Sequence, residues 1–137
     1  MSKPTLCLDF DGVIHRYDSG WQGTTNITDR ATEGFFPWLF EAAEYFRVVV
    51  YSSRSKDPDA ILAMQRWLQI EWYRERLRVQ TDDPDSPLAT AELPEIEFAA
   101  EKPAAFLTID DRALTFTGDW ADYDPIALRN FKPWNKG

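Results

Sequence analysis

The stretch LCLDFDGVI, residues 6–14, constrains the fold of this chain more than any other. Residues 6–8 form an apolar run too short for a helix, which predicts a buried strand. Asp9 and Asp11 follow at its tip, and alternate residues of an extended chain point the same way, so both carboxylates are expected on one side. Gly12 then permits a sharp turn. Because neighbouring carboxylates repel each other and require a cation or a proton, this strand end is a candidate functional site.

Length and composition limit the class of protein. The 137 residues predict a single domain, residues 1–137, and 44% hydrophobic with 15% aromatic residues favours a folded globule over a disordered chain. The formal net charge of −8 repels polyanions, so a nucleic-acid or anionic-membrane partner would need a local basic patch. The lone Cys7 forms no internal disulfide, and no apolar segment is long enough for a bilayer or a signal peptide. These features predict a soluble, cytoplasmic protein.

The segment after the first strand predicts a hairpin, a helix and a second strand. Apolar residues around an Asp-Ser-Gly turn signal predict a short hairpin over residues 13–23. An aromatic stripe at helical spacing predicts a helix over residues 34–45, and the β-branched run RVVVY predicts a buried strand over residues 47–51. The only histidine, His15, is interpreted as a turn or surface residue, because no second candidate ligand accompanies it.

The second half predicts one long helix and several short elements. Asp57 as a cap and Pro58 at the first position predict a helix that breaks before Leu77, followed by an acidic, proline-dotted loop over residues 79–94. Short strands are predicted over residues 96–99, 106–109 and 114–116, with a short helix near residues 125–128. The alternation of strands and helices predicts an α/β domain with a mainly parallel sheet.

Three of the predicted strands end in polar side chains: Asp9 and Asp11, Ser52 and Ser53, and Asp110 and Asp111. Parallel α/β sheets bind ligands beyond the carboxyl ends of their strands, where the strand order reverses. We therefore expect these side chains, together with the nearby Lys102, to converge. Four clustered carboxylates need a counter-ion, and Mg²⁺ is the simplest one because it prefers oxygen ligands and meets substrate phosphates.

In this order the chain resembles the haloacid dehalogenase (HAD) superfamily of phosphotransferases. LCLDFDGVI matches the first motif, VVVYSSR the second, Lys102 the third and LTIDD the fourth. The resemblance implies a Rossmann-like sheet flanked by helices, a short hairpin flap, and Mg²⁺-dependent phosphoryl transfer. The intervals between the motifs are too short for a cap domain. In many family members a helix separates the third-motif lysine from the last strand, whereas only residues 103–105 intervene here.

The resemblance also implies catalytic roles. Asp9 would be the nucleophile and form an aspartyl-phosphate. Asp11 would protonate the leaving group and later deprotonate the attacking water. Ser52, which directly follows its strand, would hydrogen-bond the transferring phosphoryl group, and Lys102 would neutralise its charge.

The metal and substrate contacts follow in the same way. The implied Mg²⁺ ligands are Asp9, the backbone carbonyl of Asp11, Asp110 and Asp111, the last directly or through a water. Candidate substrate contacts are Ser53, Arg54 and Arg112, although each arginine is equally compatible with an ordinary helix-start or surface charge.

The sequence thus predicts a small, capless, Mg²⁺-dependent phosphatase acting on a phosphorylated small molecule or macromolecular end. One alternative is a nucleic-acid end phosphatase, which the acidic net charge disfavours. Another is a catalytically idle module that keeps the metal and binds a phosphorylated ligand. A phosphorelay receiver does not fit. In receivers the acidic pair lies at the first strand and the phosphoacceptor aspartate on a later strand, whereas in this chain the acidic pair is the last motif. No membrane partner is expected, and the sequence leaves a homo-oligomer open.

Overall fold

Four short parallel strands form one sheet in the order β3-β2-β1-β4 in the computed structural model, which describes residues 2–136. The strands are β1 (Thr5–Leu8), β2 (Arg47–Val50), β3 (Glu97–Phe98) and β4 (Leu107–Ile109), and the helices are α1 (Phe35–Tyr45), α2 (Pro58–Asp82) and α3 (Pro125–Arg129). This order matches the first four strands of a doubly wound, Rossmann-like sheet, whose order is 3-2-1-4-5-6. The predicted α/β class with a parallel sheet is confirmed.

The hydrophobic core lies between one face of the sheet and the two long helices. Alternate strand residues share a face, and this face carries Leu6 and Leu8 of β1 beside Val48 and Val50 of β2. The helices contribute buried side chains to the same cluster: Phe35, Phe36, Leu39, Met64, Trp67, Leu68 and Trp72. This packing fixes the carboxyl ends of β1 and β2.

Helix α2 is longer than predicted. Its start agrees with the sequence, since the Asp57 side chain accepts a hydrogen bond from the Asp59 N–H and Pro58 occupies the first turn. The predicted break before Leu77 is wrong, as is the loop from residue 79, because the helix continues to Asp82. No glycine or proline interrupts it after Pro58, and the buried Val79 keeps its last turn packed on the body.

The predicted hairpin over residues 13–23 is also wrong. These residues contain no strand, and the segment instead contacts residues that come later in the chain. The Arg16 N–H donates to the Arg30 carbonyl and the Thr32 N–H to the Ile14 carbonyl, so His15 forms a single antiparallel bridge with Ala31. Pairing with the later segment therefore replaces the local pairing that the turn signal indicated.

The C-terminal part of the chain is less regular than predicted. Residues 114–116 form no strand; the Thr115 carbonyl accepts a hydrogen bond from the Tyr123 hydroxyl instead of a strand partner. The predicted short helix is present as α3. Within residues 2–136, no helix combines the length and apolar character needed to span a membrane.

Candidate active site

Three aspartates meet at the carboxyl ends of the two strands β1 and β4. Leu8 and Ile109 are register partners, and the Asp9 N–H donates to the Ile109 carbonyl over 3.0 Å, so the acids that follow the two strands are neighbours. One carboxylate oxygen from each of Asp9, Asp110 and Asp111 lies within 4.8 Å of the others. We call these three residues the acid triad. Strands β2 and β3 lie on one side of β1, and β4 lies on its other side, so the strand order reverses between β1 and β4. The triad lies at this reversal, which is where ligands bind in such sheets.

The acid triad is electrostatically frustrated. Burial, together with the nearby charges of Asp110 and Asp111, raises the pKa of Asp9 to about 7, although a 2.8 Å hydrogen bond from the Phe10 N–H to Asp9 Oδ1 opposes this. Burial also raises the pKa of Asp111 above its usual range. The triad on its own therefore retains a proton close to neutral pH, as expected for carboxylates that lack a counter-ion.

The turn after β1 holds Asp111 in place. Gly12 has φ = 81°, and a Cβ at this position would lie 2.1 Å from Asp111 Oδ2. Only glycine therefore combines this backbone conformation with the close approach of Asp111. The Trp134 indole N–H donates to the Gly12 carbonyl over 2.7 Å, which fastens the turn from its outer side.

Asp11 points away from the triad. Its Oδ1 lies 2.9 Å from His15 Nδ1, and its Oδ2 accepts a hydrogen bond from Arg54 Nε over 2.8 Å. Burial alone would raise the pKa of Asp11, but the hydrogen bonds from His15 and Arg54 outweigh it and hold that pKa below its usual range. The two acids of the first motif therefore lie in opposite environments: that of Asp9 favours the protonated carboxyl group, and that of Asp11 favours the ionised carboxylate.

His15 is a buried partner of Asp11 that the sequence interpretation missed. Its side chain is almost inaccessible and lies against Phe10 and Trp67. The Asp29 N–H donates to His15 Nε2 over 3.0 Å, so the ring proton sits on Nδ1 and is donated to Asp11. The one available signal was the spacing of four residues between Asp11 and His15, which does not indicate burial.

Arg54 is fully buried and ties three segments together. Besides Asp11, it donates through Nη1 to the carbonyls of Gly23 and Thr24, each over 2.8 Å, and more weakly to Asn26. The Trp21 ring covers its guanidinium, with Arg54 Cζ 4.8 Å from the ring centroid. Arg54 Nη2 has no hydrogen-bond partner among the described residues. The predicted substrate contact is thus placed in a buried ion pair rather than on the surface.

The two serines after β2 lie in different environments. Ser52 is buried, and its Oγ accepts the Arg54 N–H over 3.2 Å at the start of the short 3₁₀ turn Ser53–Lys56. Ser53 is exposed. Because β2 is the neighbour of β1, Ser52 lies at the same edge of the sheet as Asp9.

Two of the basic residues predicted at the site, Lys102 and Arg112, are exposed. Lys102 is exposed within the connection between β3 and β4, residues 99–106, and among the described residues it forms no hydrogen bond or ion pair with the acid triad. Its charge acts instead on the buried Cys7 thiol, whose pKa burial raises and Lys102 partly lowers. Arg112 is exposed, and its backbone N–H donates to Asp110 Oδ1 over 2.8 Å.

A small cleft adjoins the acid triad. It has a volume of about 280 Å³ and is lined by Gly12, Val13, Thr32, Ile109, Trp134 and two members of the triad. A larger cleft of about 580 Å³ lies at the start of α1, but its arginines pair with Glu71 or Glu75. Clustered unneutralised carboxylates, rather than cavity size, therefore mark the candidate site.

Comparison of the chain with models of known protein families, with curated proteins and with solved structures gave no match.

Proposed function

We propose that this protein is a Mg²⁺-dependent phosphomonoester hydrolase that acts through an aspartyl-phosphate on Asp9. The acid triad is the observation that carries the proposal. Three carboxylates within 4.8 Å of one another at the reversal point of a parallel sheet combine a ligand-binding position with a need for positive charge. The resemblance of the four sequence motifs to the HAD superfamily points to the same chemistry.

The triad suits a hard divalent cation. Asp9, Asp110 and Asp111 offer only oxygen donors, which Mg²⁺ prefers, and a bound cation would relieve the burial and repulsion that raise the Asp9 pKa to about 7. These three residues would hold the ion. When bound, Mg²⁺ neutralises the charge that develops on the phosphoryl oxygens.

We expect Asp9 to attack the phosphoryl group. The Phe10 N–H occupies Oδ1, which leaves Oδ2 to form the bond to phosphorus while the bond to the leaving oxygen breaks. Ser52 Oγ already accepts the Arg54 N–H, so its hydroxyl proton remains to be donated to a phosphoryl oxygen. Lys102 stays a predicted charge-neutralising residue on the strength of the motif resemblance alone.

The environment of Asp11 suits hydrolysis of the aspartyl-phosphate better than protonation of the leaving group. Held as a carboxylate by His15 and Arg54, it would turn from these partners toward Asp9 and accept a proton from the water that hydrolyses the aspartyl-phosphate. To protonate a leaving group it would first have to take up a proton against its lowered pKa. We therefore expect substrates whose leaving groups are stable as anions, such as aryl phosphates, to react fastest.

The proposal is tested by phosphate release from an aryl phosphate. Release is expected with Mg²⁺, and removal of the metal by EDTA should reduce it to background. Oligonucleotides with 5′- or 3′-phosphates, assayed in parallel, test the nucleic-acid end phosphatase, which predicts faster release from these ends. Mg²⁺ binding by calorimetry without release from any of these substrates would contradict the enzyme and favour the binding module.

A further inference from the structure

The chain beyond β4 forms an arm that does not pack on the rest of the protein. We call residues 113–132 the C-terminal arm. All the hydrogen bonds found for these residues stay within the arm. The turn Trp120–Asp122 and helix α3 have no buried residue. Only the residues after the arm return to the body, where Trp134 binds the Gly12 carbonyl and Asn135 the Arg16 carbonyl.

The arm and the adjoining edge strand expose most of the large apolar side chains on the described surface. Strand β4 pairs only with β1 in the described chain, and its Leu107 and Ile109 are 53% and 38% exposed. Trp120 and Ile126 on the arm are 78% and 73% exposed. With these four, ten exposed apolar residues fall between Phe106 and Trp134, the others being Phe106, Leu114, Phe116, Leu128, Phe131 and Trp134. We call these ten residues the arm face.

The exposed apolar area of the arm face, summed over its ten side chains, exceeds the largest apolar patch of a typical monomer. At about half exposure, each large side chain presents on the order of 100 Å², so that ten present about 1,000 Å². The largest apolar patch of a typical monomer is roughly 300–600 Å². A stable interface buries about 800 Å² on each partner. The arm face thus has the area that a specific interface requires.

Charge selects the kind of partner. Residues 106–137 carry four basic and five acidic side chains, a net charge of −1, whereas the other 105 residues carry eleven basic and eighteen acidic ones, a net charge of −7. A basic partner would be drawn to the acidic remainder rather than to this nearly neutral segment. Two copies of the arm face can meet without strong repulsion, and each copy brings both an open strand edge and an apolar arm.

We propose that the arm face is the contact surface of a homodimer, in which the arm of each copy covers the exposed β4 region of the other. Such a contact is isologous, since the same residues face each other across a two-fold axis. It buries Trp120 and Ile126, which are 78% and 73% exposed in their own chain. The proposal goes beyond the proposed function and does not depend on it.

Light scattering on the full chain over a range of concentrations tests this proposal without any assay of activity. The wild type is expected at twice the chain mass of 15.9 kDa. Trp120→Asp combined with Ile126→Asp should raise the dimer Kd by at least about 100-fold, because each change places a charge in an apolar contact. Ile70→Asp combined with Tyr73→Asp, at residues of α2 that are 54% and 57% exposed, is the matched control and should leave the Kd unchanged.

Hydrogen exchange of the wild type gives a second test that needs no variant. Backbone amides within residues 106–131 should be protected above the dimer Kd and lose that protection on dilution. A wild type that stays monomeric at all concentrations would overturn the proposal and assign the arm face to a different protein or a further chain segment. A dimer would overturn it as well if the arm variant left its Kd unchanged and dilution left the hydrogen exchange of residues 106–131 unchanged.

Discussion

Asp9→Asn is expected to abolish phosphate release and, at the same time, to stabilise the metal-free protein at pH 8. Loss of the nucleophile should lower turnover by at least about a thousandfold. The stability gain has a separate cause. Burial raises the pKa of Asp9 from 3.8 to about 7, so the folded protein disfavours the charged form. Asparagine keeps the oxygen that accepts the Phe10 N–H but carries no charge.

The difference in folding stability between Asp9→Asn and the wild type depends on pH. Below about pH 4 Asp9 is protonated in the folded and unfolded chains, and its burial costs nothing. Between about pH 4 and 7 the unfolded chain releases the proton first, so wild-type stability falls as the pH rises. The full difference is at most about 4 kcal/mol, since one pKa unit corresponds to about 1.4 kcal/mol. The variant should therefore match the wild type near pH 4 and exceed it at pH 8.

Urea unfolding in EDTA at pH 4.5 and pH 8 measures this difference. Asp85→Asn, a change at an exposed aspartate, is the matched control and should shift stability equally at both pH values. Addition of Mg²⁺ at pH 8 should stabilise the wild type more than Asp9→Asn, because the cation relieves the same repulsion. An Asp9→Asn protein less stable than the wild type at pH 8 would show that Asp9 is not strained in the folded state.

Arg54→Gln is expected to cost about 3–5 kcal/mol of folding free energy, the range for breaking one partner of a buried ion pair. Arg54 is fully buried and donates to Asp11 and to the carbonyls of Gly23 and Thr24. Glutamine is too short to reach these acceptors, and among the described residues His15 is then the one side chain that still hydrogen-bonds the buried Asp11. The pKa of Asp11 should then rise toward its usual range, which weakens it as an ionised base.

Chemical unfolding of Arg54→Gln beside Arg78→Ala measures this effect. Arg78 pairs with Glu75 and Asp82 on the exposed side of α2, where solvent screening leaves ion pairs with little effect on stability. The double variant Arg54→Gln with Asp11→Asn should recover part of the loss, since it removes both charges together. Equal destabilisation by Arg54→Gln and Arg78→Ala would mean that the buried network contributes no more than a surface pair.

The strand ends could be predicted from sequence because their signals are local. A short apolar run that stops at a carboxylate marks the end of a strand, and this pattern identifies Asp9, Asp110 and Asp111, although β1 is largely buried and β4 is exposed. The buried network could not be predicted in this way. His15 and Arg54 look like surface residues in sequence, and the contacts that bury them include residues 14 to 52 positions away. Tertiary contacts of this kind leave no periodic pattern.

The irregular elements were mispredicted for the same physical reason. The turn signal at residues 18–20 indicated a hairpin, but Ile14 and Arg16 pair with Thr32 and Arg30. The strand predicted after β4, at residues 114–116, rested on β propensity alone, and propensity does not supply a pairing partner.

The most direct test of the account is to locate a phosphoryl group on the protein. Asp11→Asn should slow hydrolysis of the aspartyl-phosphate, because the carboxylate that accepts the proton of the water is lost. This variant is incubated with an aryl phosphate and Mg²⁺, quenched in acid, and analysed by peptide mass spectrometry. One phosphorylated peptide is expected, modified at Asp9 and absent when EDTA is added. Aryl phosphate turnover by the wild type with no modified peptide, or with the phosphoryl group on Ser52, would contradict it.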